Sequence, residues 1–151
     1  MRRLTNFFFL LQLFFVSGST LAEVSFTARL LQLKDQNFRI EIADTTERRM
    51  RGLMYRESMH QQSGMLFLYQ QSGNYRIWMK NTLIPLTVLW LDKEAKILQV
   101  KALKPCIEER CPVYGAGPDT RFILELHADQ YPHFKTGEFI QSLLLLKKPK
   151  S

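Results

Sequence analysis

The sequence lacks the short motifs that mark the common enzyme classes. It contains no GxSxG nucleophile elbow, no HExxH zinc helix and no cysteine–histidine pair in a supporting context. Its histidines, His60, His127 and His133, are scattered, and we interpret each as a surface or capping residue. The sequence therefore names no reaction, and we predict no catalytic residue, metal site or cofactor from motifs.

Cysteine is also scarce. Cys106 and Cys111 lie in the stretch KPCIEERCPVYGAGP and are too far apart for a CxxC redox motif. A metal site would need two further ligands, and the loop offers only Glu108 and Glu109 nearby. An even cysteine count in an exported chain favours a disulfide, which would fix the shape of this proline- and glycine-containing loop.

Long apolar runs are missing from the interior of the chain. The N-terminal run over residues 7–16 is shorter than the roughly 20 residues of a spanning helix. It follows two arginines and precedes small residues, so we predict a signal peptide over residues 1–22, cut after Ala22, rather than an uncleaved membrane anchor. Residues 23–151 are then expected to form a single globular β-rich domain, soluble and periplasmic or secreted.

Acidic residues are fewer than basic ones, and the net charge is +7 at pH 7. Four arginines cluster on or beside one predicted helix: Arg48, Arg49, Arg51 and Arg56. They could attract anions such as lipid headgroups or acidic glycans, or they could simply be a solvated helix face. Nucleic acid is not expected as a partner, because the compartment is wrong and no recognition motif is present.

Hydrophobic periodicity predicts strands over most of the chain. FRIEIA and TRFILELH alternate apolar and polar side chains, whereas LIPLTVLWLD is almost wholly apolar, as in a strand covered on both faces. That strand should begin near Pro85, which cannot donate to a sheet ladder. FIQSLLLL is predicted as the closing strand, and ADQYPHFKTGE as one short helical turn that ends near Gly137.

One stretch, DTTERRMRGLMYRESM, changes to a helical period. Asp44 is predicted as its N-cap, and Met50, Leu53 and Met54 fall on one helical face. With this helix and the strands above, the predicted fold class is mainly β (α+β). We expect a compact antiparallel sandwich or open barrel of about 7–8 strands with one or two short helices.

Several blocks together resemble one known family. RGLMYRESM, GMLFLY, IWMKNTLIPL and RFILEL occur in this order, and the chain resembles domain-of-unknown-function family 192, also called uncharacterised protein family 0127, from about Phe38 to Ile140. The resemblance implies a compact, mostly β domain and no established reaction. Two positions depart from the pattern: Thr87 stands where an acid is common, and Ala128-Asp129 where Ala-Gly is common.

The candidate site combines the polar and aromatic groups that the core does not explain. We predict a groove walled by the arginine-rich helix, the segment 78–82 and the cysteine loop. The expected ligand-binding residues are Arg51, Trp78, Lys80, Asn81, Thr82, Tyr114 and Glu125. An aromatic platform beside lysine and amide groups could hold a sugar, a peptide or a phosphate-bearing ligand. The alternative is that Trp78 packs in a small core while Asn81 and Thr82 form a turn.

The function that we expect is an exported module that binds a small molecule or a cell-envelope component. One alternative is an envelope glycan hydrolase that uses Glu125 as an acid or base. Another is a periplasmic copper-binding protein, because thioether and imidazole ligands suit Cu(I). Its ligands would come from Met50, Met54, Met59, Met65, Met79 and His60, although the methionines also fit core positions.

Overall fold

A computed structural model describes residues 24–147, so the predicted signal peptide lies outside the described residues. The chain forms eight strands, one α-helix and two 3-10 helices in these residues. In chain order they are β1 (Thr27–Leu33), β2 (Gln36–Ala43), α1 (Thr46–Arg51), β3 (Ser63–Gly73), β4 (Arg76–Trp78), β5 (Leu86–Leu91), β6 (Ile97–Leu103), β7 (Val113–Gly115), β8 (Thr120–His127), η1 (Ala128–His133) and η2 (Gln141–Lys147).

Six strands form one open sheet in the order β1-β2-β3-β8-β5-β6, and β4 pairs with β7 in a separate two-stranded sheet. The mainly β fold class is therefore confirmed. One detail differs from the purely antiparallel arrangement that we predicted, because β2 and β3 are parallel. Parallel neighbours need a crossover connection, and here the segment containing α1 supplies it.

The sheet is covered on both faces. On β5, Leu89 and Leu91 belong to a first core, and Leu86, Val88 and Trp90 belong to a second core on the opposite face. Every β5 residue is buried, as the continuous apolar run predicts. The strand begins directly after Pro85, which confirms the predicted start.

The helix is shorter than its sequence pattern suggests. Its N-cap is Thr45, whose hydroxyl accepts a hydrogen bond from the Arg48 backbone N–H, so the prediction of Asp44 as N-cap was wrong. Met50 is 73% exposed and α1 buries no residue, so the predicted apolar face was wrong as well. The helix ends at Arg51 and is capped by Gly52, and the buried residue Leu53 belongs to the loop that follows.

The C-terminal apolar stretch is also different from the prediction. Most of FIQSLLLL belongs to the 3-10 helix η2 rather than to a closing strand, and Leu143 of η2 is fully buried in the first core. A short leucine run does not distinguish a strand from a buried helical segment by periodicity, which explains the error. The helical turn predicted before Gly137 is confirmed as η1. No helix among residues 24–147 has the length and apolarity to cross a membrane.

Candidate functional site

A cleft of about 210 Å³ opens on the second-core face of the sheet. Its walls come from α1 and the loop after it, from β3, β4 and β8, and from Thr82. Leu53, Phe67 and Ile77 are buried side chains that supply its apolar lining. This volume lies below the roughly 300–1,000 Å³ of sites for drug-sized ligands, so the cleft suits a smaller molecule.

Glu125 of β8 lines this cleft and is 5% exposed. Burial raises the pKa of Glu125 to about 8, although the positive charge of Arg56 partly lowers it. Among the described residues, no side chain or backbone group forms a hydrogen bond or ion pair with the Glu125 carboxyl group. At neutral pH the group is therefore mainly protonated and carries an O–H that can donate into the cleft.

Arg56 connects Glu125 to a second carboxylate. Glu41 and Glu125 both lie opposite Met65 in register, on the two strands that flank β3. The Arg56 guanidinium forms an ion pair with Glu41 and also acts on Glu125 through its charge. Neither Glu41 nor Arg56 lines the cleft. The ion pair with Glu41 therefore holds the Arg56 guanidinium beside the cleft.

Tyr69 and Arg49 form another part of the cleft wall. Burial raises the pKa of Tyr69 to about 12, with Arg49 acting in the opposite direction. The Arg49 guanidinium lies 5.0 Å from the Tyr69 ring centroid and donates to the carbonyl oxygens of Asp44 (2.7 Å) and Leu68 (3.0 Å). These contacts hold the arginine in place without neutralising its charge.

Two glycines, Gly52 in RGLMYRESM and Gly64 in GMLFLY, shape the cleft. A Cβ atom on Gly64 would lie 2.3 Å from the Glu125 carbonyl oxygen, so this glycine allows β3 and β8 to approach closely. Gly52 has φ of +49°, and a Cβ there would lie 3.2 Å from the Phe67 ring. Glycine at both positions therefore maintains the backbone that carries Glu125 and the wall opposite it.

The structure brings four of the seven predicted ligand-binding residues to this cleft. Arg51, Trp78, Thr82 and Glu125 line it. The Trp78 side chain is 51% exposed, so it does not pack in a small core as the alternative interpretation required. Thr82 is buried at the cleft edge. Ligand binding by these four residues stays a prediction.

Lys80, Asn81 and Tyr114 lie outside the cleft lining. The Lys80 ammonium donates to the backbone carbonyl of Glu108 at 2.6 Å, which attaches the lysine to the cysteine loop. Tyr114 faces a different, shallow concavity, where the ammonium of Lys101 lies 5.3 Å from its ring centroid. These side chains thus have contacts within the protein and do not join Trp78.

Asn81 forms a corner with the loop after the helix. Its backbone carbonyl accepts a hydrogen bond from the Tyr55 N–H at 2.8 Å, and its side-chain amide donates to the Tyr55 hydroxyl at 2.8 Å. Both residues have positive φ, 57° for Asn81 and 65° for Tyr55, which is costly for tyrosine and better tolerated by asparagine. The turn that we proposed as an alternative for Asn81 is therefore present, and it connects two of the sequence blocks.

The predicted disulfide is confirmed. The Cys106 and Cys111 sulfur atoms are 2.07 Å apart, and no free cysteine remains in the described chain. The Cys106 carbonyl accepts the Asn81 backbone N–H at 3.2 Å, and the Cys106 N–H donates to the Met79 carbonyl at 3.3 Å. The disulfide loop thereby lies against the segment that leads from Trp78 to Thr82.

Thr87, the departure from the family pattern, does not lie at the cleft. Strand alternation places it on the face of Leu89 and Leu91 in the first core, opposite to the face of Glu125. Its hydroxyl donates to the Ala128 carbonyl at 2.9 Å. The threonine at this position therefore leaves the lining of the cleft unchanged.

The methionines proposed as copper ligands are dispersed. Met65 and Met79 are buried in the second core, Met50 and Met54 line the cleft, and His60 lies outside it. Within residues 24–147 there is no group of three histidine, cysteine, aspartate or glutamate side chains that could hold a metal ion. A copper site would have to recruit Met65 and Met79, which are buried in the second core, or Met59, which packs against it.

Sequence reasoning missed Phe67, Tyr69 and Arg49 as parts of the site. Phe67 and Tyr69 follow Met65 at alternate positions of GMLFLY, so period-2 alternation could have placed all three on one face. Arg49 was noted as one of four clustered arginines. Nothing in the sequence distinguishes it from Arg48, whose guanidinium pairs with Asp44 at 2.8 Å.

The protein is thus a mainly β domain whose open mixed sheet carries a small cleft beside a buried carboxyl group. The chain belongs to domain-of-unknown-function family 192, described as Uncharacterized ACR, whose profile matches residues 29–138. No curated protein matches the chain significantly.

Two solved structures are similar to this chain. One is a proposed transcription regulator from Sinorhizobium meliloti 1021, which is 26% identical with a TM-score of 0.65; the match covers 78% of this chain and 95% of that chain. The other is a protein of unknown function from Novosphingobium aromaticivorans DSM 12444, which is 25% identical with a TM-score of 0.63. That match covers 76% of this chain and 83% of the other.

Proposed function

We propose that this protein is a binding module that holds a small organic molecule in the cleft beside Glu125. The observation that carries the proposal is a buried carboxyl group that faces the cleft and has no hydrogen-bond partner among the described residues. In its protonated form this group offers an O–H donor to a molecule that occupies the cleft. A ligand acceptor atom that receives the Glu125 O–H would form a directed hydrogen bond in the cleft.

The aromatic wall supports the same proposal. Trp78 lines the cleft and is half exposed, and the buried side chains of Leu53, Phe67 and Ile77 line it as well. Exposed indole rings commonly contribute to recognition, because they offer a large apolar surface at low conformational cost. The cleft thus combines an apolar body site with one oriented hydrogen-bond donor.

A fragment library titrated into ¹⁵N-labelled protein tests this function. We expect a subset of fragments to shift the Trp78 indole N–H and the backbone amides around Glu125. Trp78→Ala should weaken these ligands, whereas Phe139→Ala should not, because Phe139 is similarly exposed (53%) but does not line the cleft. If no fragment shifts cleft resonances, the proposal is wrong.

Two substitutions of Glu125 test whether its carboxyl group contributes to ligand binding. Glu125→Gln keeps an N–H donor of nearly the same size, whereas Glu125→Ala removes the donor. We expect glutamine to retain most of the affinity and alanine to lose it. Equal affinity in both variants would show that the cleft binds by its apolar walls without the carboxyl group.

A hydrolase is the second candidate, and the raised pKa of Glu125 favours it because a general acid must be protonated at neutral pH. Binding is better supported, since no second carboxylate among the described residues lines the cleft. Incubation with cell-wall and glycoside substrates separates the two. Turnover that Glu125→Gln abolishes would establish the hydrolase.

Export to the periplasm or medium is part of the proposal, with an envelope component or envelope metabolite as ligand. It is supported by the N-terminal pattern of residues 1–22 and by the disulfide. Cell fractionation followed by N-terminal sequencing tests it, and the expected mature protein begins at Glu23. Full-length protein in the cytoplasm with two free thiols would contradict export.

A further inference from the structure

We propose that the ligand of this cleft is a small organic anion, with an apolar body between Trp78 and Phe67 and its negative group toward Arg49, Arg51 and Arg76. This inference rests on the proposed binding function and specifies its ligand class. It requires that the positive charges at the cleft are not already neutralised by the protein, and that the remaining lining is apolar or a hydrogen-bond donor.

The charge balance at the cleft is one-sided. Its lining, within the described residues, includes three arginines, Arg49, Arg51 and Arg76, and one acidic residue, Glu125. Because Glu125 is mainly protonated at neutral pH, it does not offset these cations. Positive groups around a concave surface with low-dielectric walls concentrate anions there.

The three arginines have no carboxylate partner among the described residues. Arg49 is half-buried, and its contacts are backbone carbonyls, the Thr46 hydroxyl and the face of Tyr69. The Arg51 guanidinium lies 5.0 Å from the Tyr55 ring centroid. The neighbouring Arg48 and Arg56 differ, because each is paired with a carboxylate, Asp44 and Glu41 respectively.

The other lining groups define the rest of the ligand. Leu53, Phe67 and Ile77 offer no polar atoms from their side chains, so a bare inorganic anion would leave that surface unfilled. Glu125 supplies a donor, and a carboxylate, phosphate or sulfate oxygen is a stronger acceptor than a neutral one. The cleft therefore favours a molecule with both an apolar body and an anionic end.

Three probes with one body and different charge test the inference: phenylacetate, phenylacetamide and 2-phenylethylamine. Followed by NMR at pH 7, phenylacetate should bind at least about tenfold more tightly than the amide, because only the carboxylate forms charge-assisted hydrogen bonds with the arginines. The amine should bind most weakly. Inorganic phosphate should bind more weakly than phenylacetate, because it has no apolar body.

Arg76→Gln provides the matched variant. Arg76 has no ion pair among the described residues, so its replacement should leave the fold intact, and it should reduce phenylacetate affinity several-fold without affecting phenylacetamide. The control is Arg29→Gln, an exposed β1 arginine outside the cleft, which should change neither affinity.

The outcomes separate the two proposals. Equal affinity for phenylacetate and phenylacetamide, or an unchanged phenylacetate affinity in Arg76→Gln, would overturn the anion inference and leave the binding function intact. Library fragments that bind at the cleft without any anion among them would do the same. A cleft that no fragment or probe enters would overturn both.

Discussion

The Asn81 side-chain amide donates to the Tyr55 hydroxyl, while the Tyr55 backbone N–H donates to the Asn81 carbonyl, each at 2.8 Å. These reciprocal bonds join two left-handed residues from separate sequence blocks. They fix the loop after α1 against the corner that follows Trp78, and these are two walls of the cleft. Strained backbone near a candidate site fits a role in holding the site open in one shape.

This pair predicts a coupled loss of stability. Tyr55→Phe removes the hydroxyl acceptor. Asn81→Gly removes the amide donor, and glycine adopts the positive φ at this position without strain. Each should lower the free energy of unfolding by about 0.5–1.5 kcal/mol, the usual net value of a hydrogen bond. Urea denaturation of the double variant should show little further loss. Additive effects of the two substitutions would contradict direct coupling.

The buried carboxyl group predicts a pH dependence of stability. The pKa of Glu125 is about 8 in the folded protein against an ordinary 4.5, so between these values the folded state binds more protons than the unfolded state. Stability should therefore fall as pH rises from about 4.5 to 8, by roughly 2–4 kcal/mol at pH 7 from this group. Glu125→Gln lacks the penalty and should become increasingly more stable than wild type across that range.

Denaturation midpoints measured at pH 5, 6, 7 and 8 check this expectation. The exposed Glu109→Gln variant, which lies outside the cleft, is the control for replacing a carboxyl group with an amide. A constant difference between Glu125→Gln and wild type over the same range would mean that the Glu125 carboxyl group has the same pKa in the folded and unfolded states.

The close approach of β3 and β8 predicts a strong effect of Gly64→Ala. The added methyl group would lie 2.3 Å from the Glu125 carbonyl oxygen and 2.7 Å from Leu126, so the strands must separate. We expect a loss of about 3 kcal/mol or more in the free energy of unfolding. Gly137→Ala, where a Cβ meets open space, should lose only about 1–2 kcal/mol from its positive φ. Similar losses in both variants would contradict the steric account.

The disulfide predicts a modest, local effect. Replacing Cys106 and Cys111 with serine opens a short loop, and the chain-entropy relation gives a loss of about 2 kcal/mol for a loop of this length. Amide resonances of Lys80 and Asn81 should shift, since both residues contact the loop, whereas those around Glu125 should not. A loss well above this value, or resonance changes across β8, would show that the loop supports the sheet.

Local patterns determined most of the secondary structure. The alternation in FRIEIA and TRFILELH, the continuous apolar run after Pro85 and the cysteine spacing each depend on neighbouring residues, and each led to a confirmed element. The errors occurred where local signals compete. Thr45 and Asp44 are both good caps, and a leucine run fits a strand or a helix equally well.

Only the tertiary structure decided the site. Alternation placed Glu125 on one face of β8, but its burial follows from α1, the loop after it and β4, which lie over that face through long-range contacts. The same contacts brought Trp78 to the cleft and directed Lys80 to the cysteine loop, although the two alternate on one segment. Ionisation, exposure and hydrogen bonding depend on neighbours in space, so a carboxyl group that looks ordinary in the sequence becomes a protonated donor in the fold.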